Sequence, residues 1–198
     1  NAACGACSAI MPLFVQVNLG SLPSAALAQL PGPLRTGLLQ LFYCASEDCN
    51  NTDFGPFAHN MLARIVPEAN FAQLRVRGTI GLSPRLISDW RVHDDLPDDE
   101  EAVALGARLT IEQSDALDEE WFKKGLQFPV RGDKLLGWPA WVQSCWYPDC
   151  PICKTPMFHL FQIDSEVNVP FMFGDSGIGH VFACPQHPAR AAFAWDCY

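Results

Sequence analysis

The feature of this sequence that most restricts its fold is an internal repeat built around two CxxC pairs. From the second cysteine of each pair, the chain reads CSAIMPLFVQVN at 7–18 and CKTPMFHLFQID at 153–164. In both stretches Met stands four residues after the cysteine, and Gln stands nine residues after it with a β-branched residue next. Agreement at so many fixed offsets indicates an internal duplication.

The repeat continues into a second pair of metal-binding residue types further along each unit. GLLQLFYC at 37–44 and GIGHVFAC at 177–184 both place Gly seven residues before the cysteine and Phe two residues before it. Cys49 follows the first of these stretches, and His187 follows the second. Because the intervening segments are rich in Val, Ile, Leu and Phe, each unit is predicted to be a pair of strands with ligand-bearing turns at its end.

The cysteine spacing predicts a tetrahedral zinc site in each unit. A two-residue gap lets one tight turn present both sulfur atoms of a CxxC pair to the same ion, and zinc prefers four sulfur or nitrogen ligands. Such a site contributes on the order of 10–16 kcal/mol to folding. Up to two structural zinc ions are therefore predicted, with the ligands Cys4, Cys7, Cys44 and Cys49 in the first unit and Cys150, Cys153, Cys184 and His187 in the second.

Other interpretations of the cysteines are open at this point. A CxxC pair also occurs in thioredoxin-like redox proteins, although there it lies at a strand-to-helix junction rather than before β-rich sequence. Free buried thiols are a second alternative. Cys145 and Cys197 match no ligand pair, and we expect them to be small buried apolar side chains.

Composition restricts the location and the class of partner. The chain has nine cysteines, an odd number that cannot all be paired within one chain, and metal ligation by cysteine is typical of a reducing compartment. The sequence shows no secretory-type leader and no apolar run long enough to span a membrane, so a cytoplasmic location is expected. The net charge of −9 argues against nucleic-acid binding and suits a basic protein partner.

The predicted fold class is α+β, in a single compact domain over residues 1–198. Repeat one spans about 1–50 and repeat two about 132–198, as duplicated antiparallel β units that each carry a zinc-ribbon-like CxxC knuckle. The connecting segment, 51–131, has no cysteine and most of the charge, which indicates a mixed segment with short helices.

Three local elements are predicted within the connecting segment. The alternating stretch 71–80 favours a strand. The acidic run 94–101 is expected to be a solvated helix start, because carboxylates such as those of Asp98 and Asp99 satisfy free N–H groups at a helix N-terminus. A second short helix is predicted over 114–126.

Two further motifs have competing interpretations. Trp138 and Trp141 flank a rigid Pro-Ala turn just before the second CxxC, where they either pack at the edge of the core or form a recognition surface. The sequence GDSG at 174–177 resembles the nucleophile loop of serine proteases. In repeat one the same place reads GPLRTG at 32–37, without a catalytic residue, so a turn is predicted instead.

Six stretches, distributed between residues 12 and 198, carry a resemblance to a known family: PLFVQVNLGSLP, LPGPLRTGLLQLFYC, GDKLLGWPAWVQ, MFHLFQIDSE, MFGDSGIGHVFACPQH and AWDCY. With them the chain resembles the bacterial YwqG-like family, whose function is unassigned. The resemblance implies an α+β fold of duplicated antiparallel sheet units.

A more distant resemblance involves the tryptophan turn and the second knuckle. The residues that carry it are Lys134, Gly137, Pro139, Ala140, Trp141, Cys150, Cys153 and Gln162. In this pattern the chain is similar to the programmed-cell-death-protein-2 family. That resemblance implies a zinc-bound scaffold and, in eukaryotes, a chaperone role for a ribosomal protein.

The function predicted from the sequence is that of a non-enzymatic zinc-binding protein that acts as a protein-interaction or chaperone-like module. Two complete sets of four ligands favour closed structural sites, since a catalytic zinc needs an open position. One alternative is a hydrolase-type enzyme with a site between the repeats, and the other is an immunity-type antitoxin. The hydrolase would use histidines and a nearby carboxylate, with His59, His93, His159, His180 and Asp175 as candidates.

Overall fold

The computed structural model describes residues 2–50, 53, 55–74 and 83–198, which form two antiparallel sheets and few helices. The α+β class is thereby confirmed. Sheet one has the strand order β1-β2-β3, and sheet two has the order β4-β5-β6-β7. The strands are β1 (Leu13–Asn18), β2 (Leu38–Tyr43), β3 (Met61–Val66), β4 (Lys134–Leu135), β5 (Phe158–Asp164), β6 (Ile178–Ala183) and β7 (Ala191–Asp196). The α-helices are α1 (Ser24–Gln29), α2 (Asp99–Ala104) and α3 (Ile111–Lys123).

The two sheets pair their strands in the same register. In both, the first long strand carries a bulge near its start, and the repeated glutamine follows directly after the shifted pair. The equivalent pairs in sheet one and sheet two are Leu13–Phe42 and His159–Phe182, Val15–Leu41 and Phe161–Val181, and Gln16–Gln40 and Gln162–His180. The sequence repeat therefore has a counterpart in backbone pairing as well as in residue type.

Each sheet also has a third strand that the sequence did not reveal. Strand β3 pairs with β2, and β7 pairs with β6, again in equivalent register. The equivalent pairs are Gln40–Arg64 and His180–Ala194, and Leu38–Val66 and Ile178–Asp196. Because β3 lies within the segment predicted to connect the repeats, sheet one extends beyond the boundary expected near residue 50.

The glycine that precedes the closing strand of each repeat is required by close backbone approach. Gly37 has a φ of +104°, and a Cβ there would lie 2.9 Å from the carbonyl oxygen of Val66 at the end of β3. At Gly177 a Cβ would overlap the carbonyl oxygen of Asp196 at the end of β7. A side chain at either position would push the third strand away from the second.

Side chains from both sheets share one hydrophobic core. Tyr43 of β2 packs against Phe173 and Phe193, with ring centroids 5.6 and 6.1 Å apart and edge-to-face geometry. Phe14 of β1 also packs against Phe173. Trp195 of β7 donates its indole N–H to the Tyr43 hydroxyl at 3.2 Å, which ties the polar end of that ring to sheet two.

Helix α2 begins where the sequence predicted a helix start. Asp98 is its N-cap, and its carboxylate accepts a hydrogen bond from the backbone N–H of Glu101 at 2.8 Å. The acidic run before and after this cap is not fully solvated, contrary to expectation. Glu101 is 3% exposed, and the Asp95 carboxylate is largely buried beside the Lys134 ammonium. Charge alone predicts a surface position for this run, but Asp95 and Glu101 have partners that lie far along the chain, Lys134 and Tyr147.

Helix α3 starts three residues earlier than the predicted span 114–126. Thr110 and Gln113 form a capping box, in which each side chain accepts a hydrogen bond from the other residue's backbone N–H. Gly125, with a φ of +66°, follows the end of the helix. Of the helices that the structure describes, none has the length and apolar character needed to cross a bilayer.

The stretch 71–80 is only partly described. Residues Phe71 to Gln73 end a 3₁₀ helix, Glu68–Gln73, rather than beginning a strand. Positions 75–80 of the predicted strand lie outside the described residues.

Candidate metal centres

The first CxxC pair lies on a tight turn just before β1. The backbone N–H of Ser8 donates to the Cys4 carbonyl at 2.8 Å, and the Cys4 N–H donates to the Ala9 carbonyl at 2.8 Å. Ser8, directly after Cys7, has a φ of +64°. This left-handed conformation is unfavourable for a residue with a side chain by about 1–2 kcal/mol, so the surrounding turn must enforce it.

The second CxxC pair repeats this turn before β5. The Lys154 N–H donates to the Cys150 carbonyl at 2.9 Å, and the Cys150 N–H donates to the Thr155 carbonyl at 2.9 Å. Lys154, directly after Cys153, has a φ of +60°. Both turns thus adopt the same strained backbone without a glycine at the strained position.

The remaining residues of each cluster come from the end of the second strand. Cys44 directly follows β2, and Cys184 directly follows β6. Between β6 and β7 a short turn, closed by a hydrogen bond from the His187 N–H to the Cys184 carbonyl at 3.2 Å, carries the histidine. In sheet one a longer loop leads to Cys49, whose N–H donates to the Ser46 carbonyl at 3.1 Å.

The distances in the first cluster suit a tetrahedral ion. The sulfur atoms of Cys4 and Cys49 are 3.7 Å apart, those of Cys7 and Cys44 are 3.6 Å apart, and all four lie within 4.8 Å of one another. Zn–S bonds of about 2.3 Å at tetrahedral angles place the sulfur atoms about 3.8 Å apart. The four thiols therefore already enclose a volume of the right size.

The second cluster gives the same result with one nitrogen. The sulfur atoms of Cys153 and Cys184 are 3.6 Å apart, and His187 Nδ1 lies 3.6 Å from the sulfur of Cys150 and 3.5 Å from that of Cys184. Bonds of about 2.3 Å to sulfur and about 2.0 Å to nitrogen predict a sulfur–nitrogen separation of about 3.6 Å. His187 Nδ1, rather than Nε2, is thus the atom that faces the thiols.

Both clusters have one buried and one accessible side. In each, the first cysteine of the knuckle and the cysteine after the second strand are buried, whereas the other two residues are partly exposed. Apolar side chains close the inner side, with Met11 and Phe42 at the first cluster and Met157 and Phe182 at the second. An ion could therefore enter from solvent and be covered by the core.

The thiols differ in their electrostatic environment. Burial raises the pKa of Cys44 to about 12, whereas a hydrogen bond with the Thr155 hydroxyl lowers the pKa of Cys153 to about 6. At Cys4 burial raises the pKa, but backbone N–H groups, foremost that of Cys7, outweigh it and bring it to about 7. Since ligation requires thiolates, metal binding would displace protons from the high-pKa thiols.

The structure brings all eight predicted ligands together in the predicted two groups of four. The chemistry of the donor sets and their spacing fit a metal ion, so they could bind one each. Their assignment to zinc stays a prediction. The two unassigned cysteines, Cys145 and Cys197, are partly exposed and lie in neither group.

The histidines of the alternative enzyme site are distributed over the molecule. His159 of β5 and His180 of β6 are buried side by side, with ring centroids 5.5 Å apart. Burial lowers the pKa of His159 to about 3 and that of His180 well below its usual value, so both rings are neutral near pH 7. His59 and His93 are exposed and belong to other segments.

The carboxylate next to this histidine pair was not predicted. Asp196 Oδ1 lies 3.8 Å from His180 Nε2, whereas Asp175 is exposed on the turn that contains GDSG. That turn has the positive-φ residues Gly174 and Ser176, which confirms the turn predicted for GDSG. Asp196 could have been found only from the register of β7, a strand that the sequence analysis missed.

The two tryptophans of the predicted recognition surface are partly buried. Trp141 stacks on Phe182, with 14° between the rings, and its ring centroid lies 4.8 Å from that of His180. Trp138 is held through its backbone N–H, which donates to Asp95 at 2.9 Å. The more exposed ring nearby is Trp146, which the sequence analysis did not single out.

Fold and site together define an α+β protein with two antiparallel sheets and one four-residue Cys or Cys/His cluster beside each. The chain belongs to the family described as a domain of unknown function, DUF1963, which matches residues 7–197. The match includes every cluster residue except Cys4. No curated protein shows significant similarity to the chain.

Proposed function

We propose that this is a non-enzymatic protein in which two structural zinc ions stabilise duplicated β units, and that it acts by binding another protein. The observation that carries the proposal is the pair of complete four-ligand sets with tetrahedral spacing. A bound zinc would contribute folding free energy and fix the two knuckles against the strand ends. With four protein ligands, neither ion would have a position left for a substrate or an activated water.

Zinc is favoured over other metals by the donor types. Thiolates with imidazole in tetrahedral arrangement suit zinc, whereas calcium and magnesium require oxygen ligands. Iron–sulfur clusters also use cysteine ligands. In the second set, however, one ligand is a histidine, and His187 Nδ1 lies 3.6 Å from the Cys150 sulfur, a separation that suits two ligands of a single ion. Free thiols in both sets agree with a reducing, cytoplasmic setting.

Duplication is supported by the equal register of the two sheets. The repeated Met, Gln, Gly and Cys occupy equivalent places, and the third strands, which share little sequence, pair at equivalent positions. The finer assignment, to a zinc-binding variant of the YwqG-like family, is part of this proposal and rests on the stretches quoted above.

A protein-binding role is supported by the surface of the connecting segment. Between Ser83 and Pro97 the chain has no regular secondary structure and is mostly exposed, and apolar side chains such as Val92 are exposed to solvent. On α3, Ile111 and Phe122 are exposed, the latter by 83%. Exposed apolar side chains beside many carboxylates suit a partner with apolar and basic groups, as the charge of −9 also suggests.

The metal part of the proposal is tested by elemental analysis of purified protein. The wild type should contain two zinc ions per chain, Cys150→Ser should contain one, and the double variant Cys4→Ser/Cys150→Ser should contain none. Cys145→Ser, a cysteine outside both sets, is the matched control and should retain both ions. Less than one zinc per chain in the wild type, after reconstitution under reducing conditions, would refute structural zinc.

The binding part is tested by affinity capture followed by reconstitution from purified components. A partner that forms a stoichiometric complex with the wild type, and binds more weakly to Phe122→Ser with unchanged zinc content, would support the proposal. If the captured partner is a toxin, the protein-binding function is that of an immunity-type antitoxin. Failure to reconstitute any stoichiometric complex would count against protein binding.

An enzymatic role is the second candidate, because His180 and Asp196 meet beside a pocket. The pocket lies on sheet two rather than between the repeats. A hydrolase would show turnover of ester or phosphoester model substrates that is lost in His180→Gln, whereas a binding pocket would give none.

A further inference from the structure

Sheet one contains a chain of polar side chains that is satisfied internally. The Gln40 amide donates to Gln16 at 2.7 Å, and Arg64 donates through Nε to the Gln40 carbonyl oxygen at 2.9 Å. The Arg64 guanidinium also lies over the ring of Phe42, 5.2 Å from its centroid. One arginine thus fills the space beside β2 and supplies the hydrogen bond that its buried neighbour needs.

The equivalent place in sheet two has no arginine. Strand register puts Ala194 where sheet one has Arg64, His180 where it has Gln40, and Phe182 where it has Phe42. All three of these residues line a pocket of about 270 Å³. The pocket therefore adjoins the place where an arginine at position 194 would extend, and the Trp141 ring covers part of that place.

Two polar groups at this pocket have buried atoms without a hydrogen-bond partner. His180 is 1% exposed, and neither of its ring nitrogens has a hydrogen-bond partner in the protein. Asp196 accepts hydrogen bonds from the N–H groups of Val142 and Gln143 on Oδ2, but its buried Oδ1 accepts none. Buried polar atoms are normally paired. The carboxylate oxygen of Asp196 and the unprotonated ring nitrogen of His180 are acceptors, so these two atoms point to an absent donor.

The pocket walls are aromatic and its mouth is accessible. Trp141, Trp195 and Phe182 form the walls, while Trp146, Gln143 and Ser144 stand exposed at the entrance. Aromatic faces attract cations, and a planar cation gains most from them. The volume is below the roughly 300–1,000 Å³ that is typical of pockets for drug-sized ligands, so the pocket suits a group of side-chain size.

We propose that this pocket binds a guanidinium group, which takes the position of Arg64 in the equivalent sheet. The group would stack against Trp141 and donate N–H hydrogen bonds to Asp196 Oδ1 and to the acceptor nitrogen of His180. Its source is either an arginine side chain of a protein partner, a case that rests on the protein-binding role proposed above, or a free guanidino compound.

Titration of the zinc-loaded full chain with a blocked arginine, N-acetylarginine methylamide, tests the chemistry. The wall tryptophans should give a saturable change in fluorescence, and calorimetry should give the same affinity. The citrulline analogue, which has the same shape without the charge, should bind at least about tenfold more weakly, because a charge-assisted hydrogen bond is lost. Equal affinity for the two compounds, or no saturable response because the pocket holds only water, would overturn the proposal.

Variants locate the site. Ala194→Arg introduces an internal guanidinium as in sheet one, and should abolish binding while leaving the melting temperature unchanged or higher. Ala116→Arg, the same substitution at an exposed position of α3, should bind like the wild type. If Ala194→Arg does not fold, Trp146→Ala at the exposed mouth provides the test and should weaken binding. Unchanged affinity in the folded pocket variant would overturn the proposal.

The source of the group is decided by comparing free arginine with a blocked tripeptide that has arginine in its centre. Tighter binding of the tripeptide identifies an arginine side chain of a protein, and tighter binding of free arginine identifies a small guanidino compound. Zinc content and partner capture are measured in separate experiments. A result in which the pocket binds arginine but no protein partner is found can therefore be told apart from failure of the pocket proposal itself.

Discussion

Asp95 fastens the connecting segment to sheet two, and its removal should destabilise the protein strongly. Its carboxylate accepts hydrogen bonds from the backbone N–H groups of Val130 at 2.8 Å and Trp138 at 2.9 Å, and from the Lys134 ammonium at 2.8 Å. The Asp95 and Lys134 side chains are only 11% and 13% exposed. Asp95→Ala would leave a largely buried ammonium without its anion and two N–H groups without an acceptor.

The expected loss can be worked out from these contacts. Breaking a buried ion pair from one side costs about 3–5 kcal/mol. Each stranded N–H group costs about 1 kcal/mol more, unless water reaches it. We therefore expect Asp95→Ala to lower the free energy of unfolding by about 5–7 kcal/mol, which for a chain of this length lowers the melting temperature by about 10–28 °C. Burial already lowers the pKa of Lys134, and loss of Asp95, which raises that pKa, would lower it further.

Denaturant unfolding at pH 7, followed by circular dichroism, provides the measurement. Asp94→Ala removes an adjacent carboxylate that is exposed, and should change the stability by less than about 0.5 kcal/mol. The double variant Asp95→Ala/Lys134→Met removes both charges and should recover at least half of the loss. If Asp95→Ala is as stable as Asp94→Ala, the connecting segment is not held by this carboxylate and the reasoning is refuted.

Three further predictions concern other buried groups. Gly177→Ala should destabilise by at least about 2 kcal/mol in thermal unfolding, because its Cβ would overlap the carbonyl oxygen of Asp196, and retention of wild-type stability would contradict the close approach. Burial raises the pKa of Glu101, so its charged form is disfavoured in the folded state and wild-type stability is lost as pH rises through the carboxyl range. The melting temperature of Glu101→Gln relative to wild type should therefore increase from pH 4 to pH 7, and a constant difference would contradict this. For His159, burial lowers the pKa from 6.5 to about 3. Below pH 6.5 the unfolded chain therefore binds a proton at this residue, whereas the folded chain does not. As a result, the free energy of unfolding of the wild type falls by about 1.4 kcal/mol for each unit by which the pH is lowered. His159→Leu, which introduces the residue that stands at the equivalent position of sheet one, should remove this part of the acid sensitivity between pH 6.5 and pH 5, as unfolding measured at both pH values would show.

The ligand clusters could be predicted because their residues are constrained by chemistry. A cysteine pair with a two-residue gap has few other uses, and a second copy at equivalent offsets fixed the division of the ligands into two sets. The repeated glycines, Gly37 and Gly177, could also be recognised from the sequence, because only glycine tolerates the close approach of the third strand and both repeats therefore keep it.

The third strands could not be predicted, because they carry no repeated residue type. AAFAWD in β7 and MLARIV in β3 are short, contain alanine and share no motif, although they occupy equivalent positions. Asp95 and Glu101 were assigned to solvent because a run of carboxylates is usually solvated, and their distant partners cannot be read from local sequence. The position of the third strands and the burial of these two carboxylates both depend on contacts between residues that are far apart in the sequence.

The differences between the two sheets explain why a binding pocket would lie on sheet two. In sheet one Arg64 donates to Gln40, and Gln40 donates to Gln16, so the buried glutamine has both partners within the sheet. In sheet two, Ala194 replaces the arginine and lines the pocket, and Asp196 stands where sheet one has Val66, which adds a carboxylate at the edge. The connecting segment contacts β4 through the Asp95–Lys134 pair, and it contacts the segment between β4 and β5 through the hydrogen bond that Tyr147 donates to Glu101. A substitution that fills the pocket, such as Ala194→Arg, should therefore supply the internal guanidinium that sheet one has. It should leave the melting temperature unchanged or higher and abolish the binding of arginine.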